Sequence, residues 1–175
     1  MASPCCFSLV HRLWPAIVLA ALVLAPVAHG QQDWQELDWL ELMPEEDLRL
    51  LESLPEVDHE GDGPVALPDE IMTGRVVPEM DGTPARIPGF VVPLKTVGDQ
   101  RIVEFFLVPY YGACIHVPPP PPNQIIHVTY KPGFTLEALY DPIWTQGVIR
   151  TEKVENDIAS SSYTMTAELI EPYEE

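Results

Sequence analysis

"RIVEFFLVPYYGACIHVPPPPPNQIIHVTY", Arg101 to Tyr130, places two apolar runs rich in β-branched and aromatic residues on either side of five consecutive prolines. Runs of that composition read as strands. Prolines 118–122 continue neither of them, because proline lacks a backbone N–H and has a fixed φ, which excludes a central strand there. They predict a polyproline II rod of about 15 Å, at about 3.1 Å per residue. The rod is a stiff strap from the strand ending near Tyr111 to the strand starting at Gln124. It serves either as a rigid crossover that closes a barrel or as an exposed ligand for an aromatic groove.

The texture on both sides is β. "MTGRVVP" and "ARIPGFVVPL" flank "EMDGTP", whose Asp81-Gly82 is a hairpin signal. "IWTQGVIRTEKV" and "SSYTMTAELIEPY" follow, the latter alternating Tyr163, Met165, Ala167 and Leu169 with polar residues. "TLEALY", Thr135 to Tyr140, reads as one short helix. Roughly six strands in about 100 residues predict a mainly β domain, a small antiparallel, partly open OB-like barrel. Prolines 78, 88, 93 and 109 belong on edges or bulges, since none can donate to a ladder. Phe90, Phe106, Val108, Ile126, Val128 and Met165 are the expected inward residues.

Upstream the composition changes. Asp33 to Glu70 holds fourteen of the chain's 27 acids and one base, Arg49. "DWQELDWLELM" and "PEEDLRLLESL" each place apolar residues at helical spacing, and the second starts with Pro44 and acids suited to a helix N-terminus. "EVDHEGDGPVALPDE" has little to bury and reads as linker. The helices need a partner surface, either the domain that follows or another protein. Earlier still, His11 and Arg12 precede the apolar run "LWPAIVLAALVLAPVAHG", the order of a secretory signal peptide with cleavage after Gly30. Pro15 and Pro26 interrupt that run, which weakens it as a membrane span. The expected organisation is a signal peptide over 1–30, an acidic helical and linker segment over 31–70, and a β-barrel domain over 71–175. The expected location is the periplasm, with no stable membrane insertion of the mature chain.

The formal net charge is −18, and removal of Arg12 with the signal makes it one unit more negative, −19. Such a field repels nucleic acid and attracts cations and basic surfaces. Loss of Cys5 and Cys6 would leave Cys114 as the one thiol, so the mature monomer can form no internal disulfide. An unpaired exported cysteine signals metal binding, reactivity or an intermolecular bridge, and the alternative is an inert buried thiol. Cys114 and His116 are two apart, so an extended backbone points both to one side. Together they could share Zn²⁺ or Cu⁺, or form an ion pair that lowers the thiol pKa. Two ligands fall short of the four of a closed zinc site, and His127, His59 or a carboxylate could complete the set. No serine-hydrolase, phosphate-loop or calcium-loop pattern is present, and no Asn or Asp is placed to orient a Cys114–His116 nucleophile pair.

Three stretches carry a resemblance: "MTGRVVPEMDGTPARIPGFVVPLK", "EFFLVPYYGACIHVPPPPPNQIIHVTY" and "PIWTQGVIRTEKV…SYTMTAELIEPY". They resemble the bacterial exported proteins grouped as domain-of-unknown-function 3299, over nearly everything from Ile71 onward. The order of a "GFVVPL" strand, a cysteine-containing loop and P-P-N is also similar to more distant bacterial proteins with small oligonucleotide/oligosaccharide-binding barrels. The resemblance implies association with components of metal, particularly zinc, ABC-transport systems. Joined to the residues, it leads to a periplasmic binding or accessory protein rather than an enzyme, with Cys114, His116 and His127 as metal-ligand candidates. Its partner would be an ABC-transporter component or another periplasmic protein. A structural interaction module without metal is the alternative, and thiol chemistry at Cys114 a third reading.

Overall fold

The computed structural model describes residues 33–54, 67–114 and 119–174. The expected signal peptide, His59 and His116 lie outside those residues. Five strands form the barrel: β2 (Pro84–Val97), β3 (Arg101–Val108), β4 (Ile126–Phe134), β5 (Ile143–Arg150) and β8 (Tyr163–Pro172). A two-residue β1 (Gln35–Glu36) runs parallel to β2, and β6 (Val154–Glu155) pairs with β7 (Ser160–Ser161) as a separate ribbon. The strand order is β2-β3-β4-β8-β5, and β5 returns to pair with β2.

The barrel is therefore closed rather than partly open. Closure depends on the fourteen-residue length of β2. Pro84 to Gly89 pair with β5, while Phe90 to Val97 pair with β3. Nor is the sheet wholly antiparallel, because Ile126–Thr129 of β4 run parallel to Tyr163–Thr166 of β8. A parallel pair needs a long crossover, and the chain from β4 to β8 supplies one that includes β5.

Most of the strand prolines sit at strand ends or a register shift, whereas Pro88 lies inside the β2–β5 ladder opposite Trp144. Pro84 begins β2, Pro93 sits at a register shift, and Pro109 follows the last residue of β3. Pro78 starts a 3₁₀ turn, Pro78–Met80, and the expected strand over 72–78 is absent. Asp81-Gly82 accordingly closes no hairpin. It leads into β2, with Gly82 N donating to Ile149 O at 2.8 Å. Thr135 to Tyr140 form an irregular loop with a turn at 139–140 instead of the expected helix.

Alternation along each strand separates two cores. Ala85, Ile87, Val91, Phe105, Leu107, Ile126, Val128, Ile149, Tyr163 and Met165 belong to the main cluster. Phe106 and Val108 are as deeply buried, but in a second cluster with Val92, Ala113, Ile125 and Ala159, and Phe90 packs on its margin. Expecting Phe90, Phe106 and Val108 to point with Ile126 and Met165 was thus wrong by one residue of register. A loop and the β7 region cover the opposite face of β3, so both of its faces are apolar and periodicity alone cannot orient it.

The acidic segment is built onto the barrel. The stretch expected to be its first helix is β1 followed by a 3₁₀ turn, Trp39–Leu42, capped by Asp38 and Glu41 in a reciprocal capping box. The second is helix α1 (Glu45–Ser53), with Glu45, Glu46 and Asp47 in its first turn. A second short helix, α2 (Asp69–Met72), follows Pro68. Leu37 and Leu42 enter the main core, and Asp33–Glu175 form one compact unit.

Candidate functional site

The proline strap has two ends with different tasks. Its C-terminal end is an anchor. Pro121 has φ −52° and ψ 146°, close to polyproline II, and Pro122 opens a 3₁₀ turn through Gln124. Asn123 is fully buried and its Nδ2 donates to Arg75 O at 2.7 Å. Gln124 Nε2 donates to Trp39 O at 2.8 Å. Pro122 O accepts from Ser162 N at 2.7 Å, and Ser162 Oγ donates to Gly74 O at 2.6 Å.

Gly74 is required here twice over. Its φ is +67°, and an added Cβ would lie 2.5 Å from Pro122 Cβ and 2.6 Å from Ser162 Oγ. Beside it, Arg75 pairs with the fully buried Asp47 of α1, and that carboxylate raises the guanidinium pKa. Tyr163 completes the junction: its hydroxyl accepts from Val77 N at 2.7 Å and donates to Leu42 O at 2.9 Å. The sequence alone attaches no role to Asn123, Gln124 or Ser162. A polar pair directly after a proline run, with no charge to draw it to water, was the available signal.

The N-terminal end of the strap loop is a surface. After Val108 the chain passes Pro109, Tyr110 and Tyr111, then turns at Gly112 with φ +85°. Cys114 also has positive φ, +65°, an uncommon conformation for a side-chain-bearing residue. Its free thiol is half-buried against the Phe106 cluster, and burial pushes its pKa up. Tyr110 is raised as well, first by burial and then by the charge that Cys114 would carry as thiolate.

His127 lies one strand away on the same outer face. Its Nε2 is 3.0 Å from Glu104 Oε1, and its ring meets Phe106 edge-on at 5.9 Å between centroids. Cys114 and His127 thus border the same cluster. Among the described residues, no group of three or more His, Cys, Asp or Glu side chains is arranged to hold a metal ion. Among them also, no helix is long and apolar enough to cross a membrane.

Aromatic rings extend outward from this loop. Tyr111 lies 6.2 Å from Phe90 and 6.3 Å from Tyr140, and Tyr140 is 64% exposed. Close by in the ladder, Trp144 stacks on Tyr173 at 5.2 Å, and the Arg86 guanidinium lies 3.8 Å over the Trp144 ring. Sequence reading missed Tyr140, which it had placed in a helix.

These features define the class: a small closed five-stranded barrel with OB-like strand order, a proline-strapped loop and an integral acidic N-terminal segment. The family model described as "Protein of unknown function (DUF3299)" matches residues 39–172, and the chain belongs to that family. The match includes α1, so the acidic segment is part of the family unit and not an appendage to it. The crystal structure of a DUF3299 family protein from Pseudomonas aeruginosa PAO1 is similar, with 34% identity and a TM-score of 0.64. The similarity covers 82% of this chain and 98% of that one. No curated protein matches the sequence.

Proposed function

We propose that the protein is a non-catalytic, periplasmic binding or accessory module that works through the strap end of its barrel. The observation that carries this reading is the set of exposed tyrosines Tyr110, Tyr111 and Tyr140, backed by half-buried Phe90, where a pinned loop leaves the barrel. Tyrosines at such a place supply contact area and a polar handle together, which is why interfaces are enriched in them. A thiol-dependent activity draws no support from Cys114: a nucleophile needs the thiolate, and burial favours the neutral thiol. The family resemblance to proteins associated with zinc uptake makes a component of a transition-metal ABC transporter the first partner to test. The test is site-specific photo-crosslinking in cells from position 140, with position 97 at the far hairpin as control. A discrete adduct from 140 alone is expected. Adducts from 97 alone, or from neither, would sink the reading.

Metal binding at the loop is the second reading, favoured by the shared border of Cys114 and His127 on the Phe106 cluster. Zn²⁺ or Cu⁺ would have to displace the thiol proton, so affinity should weaken as pH falls through the histidine range and vanish in Cys114→Ser. Unchanged affinity in that variant, or no uptake by the wild type, ends it.

A further inference from the structure

The two ends of the barrel differ in charge. Lys95 and Arg101 lie at the β2–β3 hairpin, and Lys131 lies in β4 near Gly133, whose carbonyl accepts from Arg101 Nη2 at 2.8 Å. From there the chain is bare of bases: neither 102–130 nor 132–149 contains a Lys or Arg. The ladder from Val97↔Arg101 to Phe90↔Val108 spans about 23 Å at about 3.3 Å per residue. At its far end β5 begins at Ile143 opposite Pro172 of β8, which brings the 137–142 turn and the C-terminal residues together.

That end gathers exposed Tyr110, Tyr111, Leu139 and Tyr140 with the acids Glu137, Asp141, Glu171 and Glu174. The base nearby, Arg86, is already engaged. It stacks on Trp144 at 3.8 Å and pairs with Glu36 at 3.2 Å. The arrangement shows the chemistry this end accommodates, a guanidinium on an aromatic face with a carboxylate beside it.

We propose that the acidic, tyrosine-bearing end docks an arginine- or lysine-rich segment of a partner protein. Its cations would lie on the Tyr110 and Tyr140 rings and pair with Glu137 and Asp141. This deepens the accessory-module reading and rests on it. Charge complementarity decides the occupant: a second copy carries the same −18 charge, and nucleic acid or an anionic lipid surface would be repelled. An acid-rimmed aromatic surface instead gains from both Coulomb attraction and cation–π contact.

The test titrates the full chain with an Arg-Gly repeat peptide and a Glu-Gly repeat peptide, followed by amide chemical shifts. The arginine peptide should perturb residues 110–111 and 137–142 and lose affinity as salt rises, while the glutamate peptide does nothing. Tyr110→Ala with Tyr140→Ala leaves every charge in place and should weaken binding about ten-fold. Glu45→Gln with Glu52→Gln removes acid from α1 and should leave it unchanged. Equal affinity in the tyrosine variant, shifts centred on α1, self-association through Tyr140, or no binding would each overturn the proposal. No peptide binding alongside a discrete crosslink from position 140 removes the cationic partner alone. Failure of both removes the accessory reading as well.

Discussion

Tyr163 shows how much one atom can hold. Its hydroxyl is the meeting point of the N-terminal segment, through Leu42 O, the approach to β2, through Val77 N, and β8 itself. Burial pushes the phenol pKa up, and the Val77 N–H partly opposes that. Tyr163→Phe keeps the ring but leaves a part-buried N–H and a buried carbonyl without partners. It should cost about 1–3 kcal/mol, read as a lower urea midpoint at unchanged m-value. Cys114 offers a pH signature. Because its folded pKa is raised, its contribution to stability is complete below the pKa of a free thiol and is lost as pH rises through the folded value. Iodoacetamide should therefore modify native Cys114 more slowly than the unfolded chain near pH 8, the two converging at higher pH. Equal rates at all pH values would mean that the thiol is not desolvated.

At the scale of elements, the acidic segment and the strap stabilise each other. Helix α1 is polar on most of its surface, and a lone helix of nine residues is marginal in water. It persists because Asp47 finds Arg75, and because Leu37 and Leu42 just before it enter the barrel core. Leu42→Ala should therefore behave as a core truncation and cost about 2–5 kcal/mol by chemical denaturation. A loss of only a few tenths would mean the segment is peripheral. The prolines alone predict a rod over 118–122; Pro121 has polyproline II angles, whereas Pro122 already belongs to a 3₁₀ turn. The strap's use as a dock for Trp39 and Arg75 was not legible, because those contacts join residues 48 and 85 positions apart and depend on backbone atoms.

For the whole molecule, 27 acids against nine bases make self-repulsion a standing cost of the compact state. Raising NaCl from about 10 mM to about 300 mM shortens the Debye length from about 30 Å to below 10 Å. The Tm should rise over that range, whereas a fall would mean that surface ion pairs such as Arg86–Glu36 outweigh the repulsion. The uneven placement of the bases matters more than their number. Lys95, Arg101 and Lys131 share one end of the barrel, leaving the tyrosine end acidic.

Sequence by itself determined that this chain is mainly β, that the proline run separates two strands rather than joining them, and that a helix opens at Pro44, the residue the structure makes the N-cap of α1. Those are local matters, decided by side-chain period, φ restriction and missing N–H donors, all of which a sequence carries in full. Only the tertiary structure decided that the barrel closes, that β4 and β8 run parallel, and that Phe106 faces a second core instead of the first. Each depends on which distant segment covers a face or edge: β5 on the first half of β2, the strap loop on the outside of β3. The candidate site divides the same way. Cys114 and His127 were legible as residue types, but their common border with Phe106, and the gathering of Tyr140 with Tyr111, exist only once β3, β4 and the 137–142 turn are brought together.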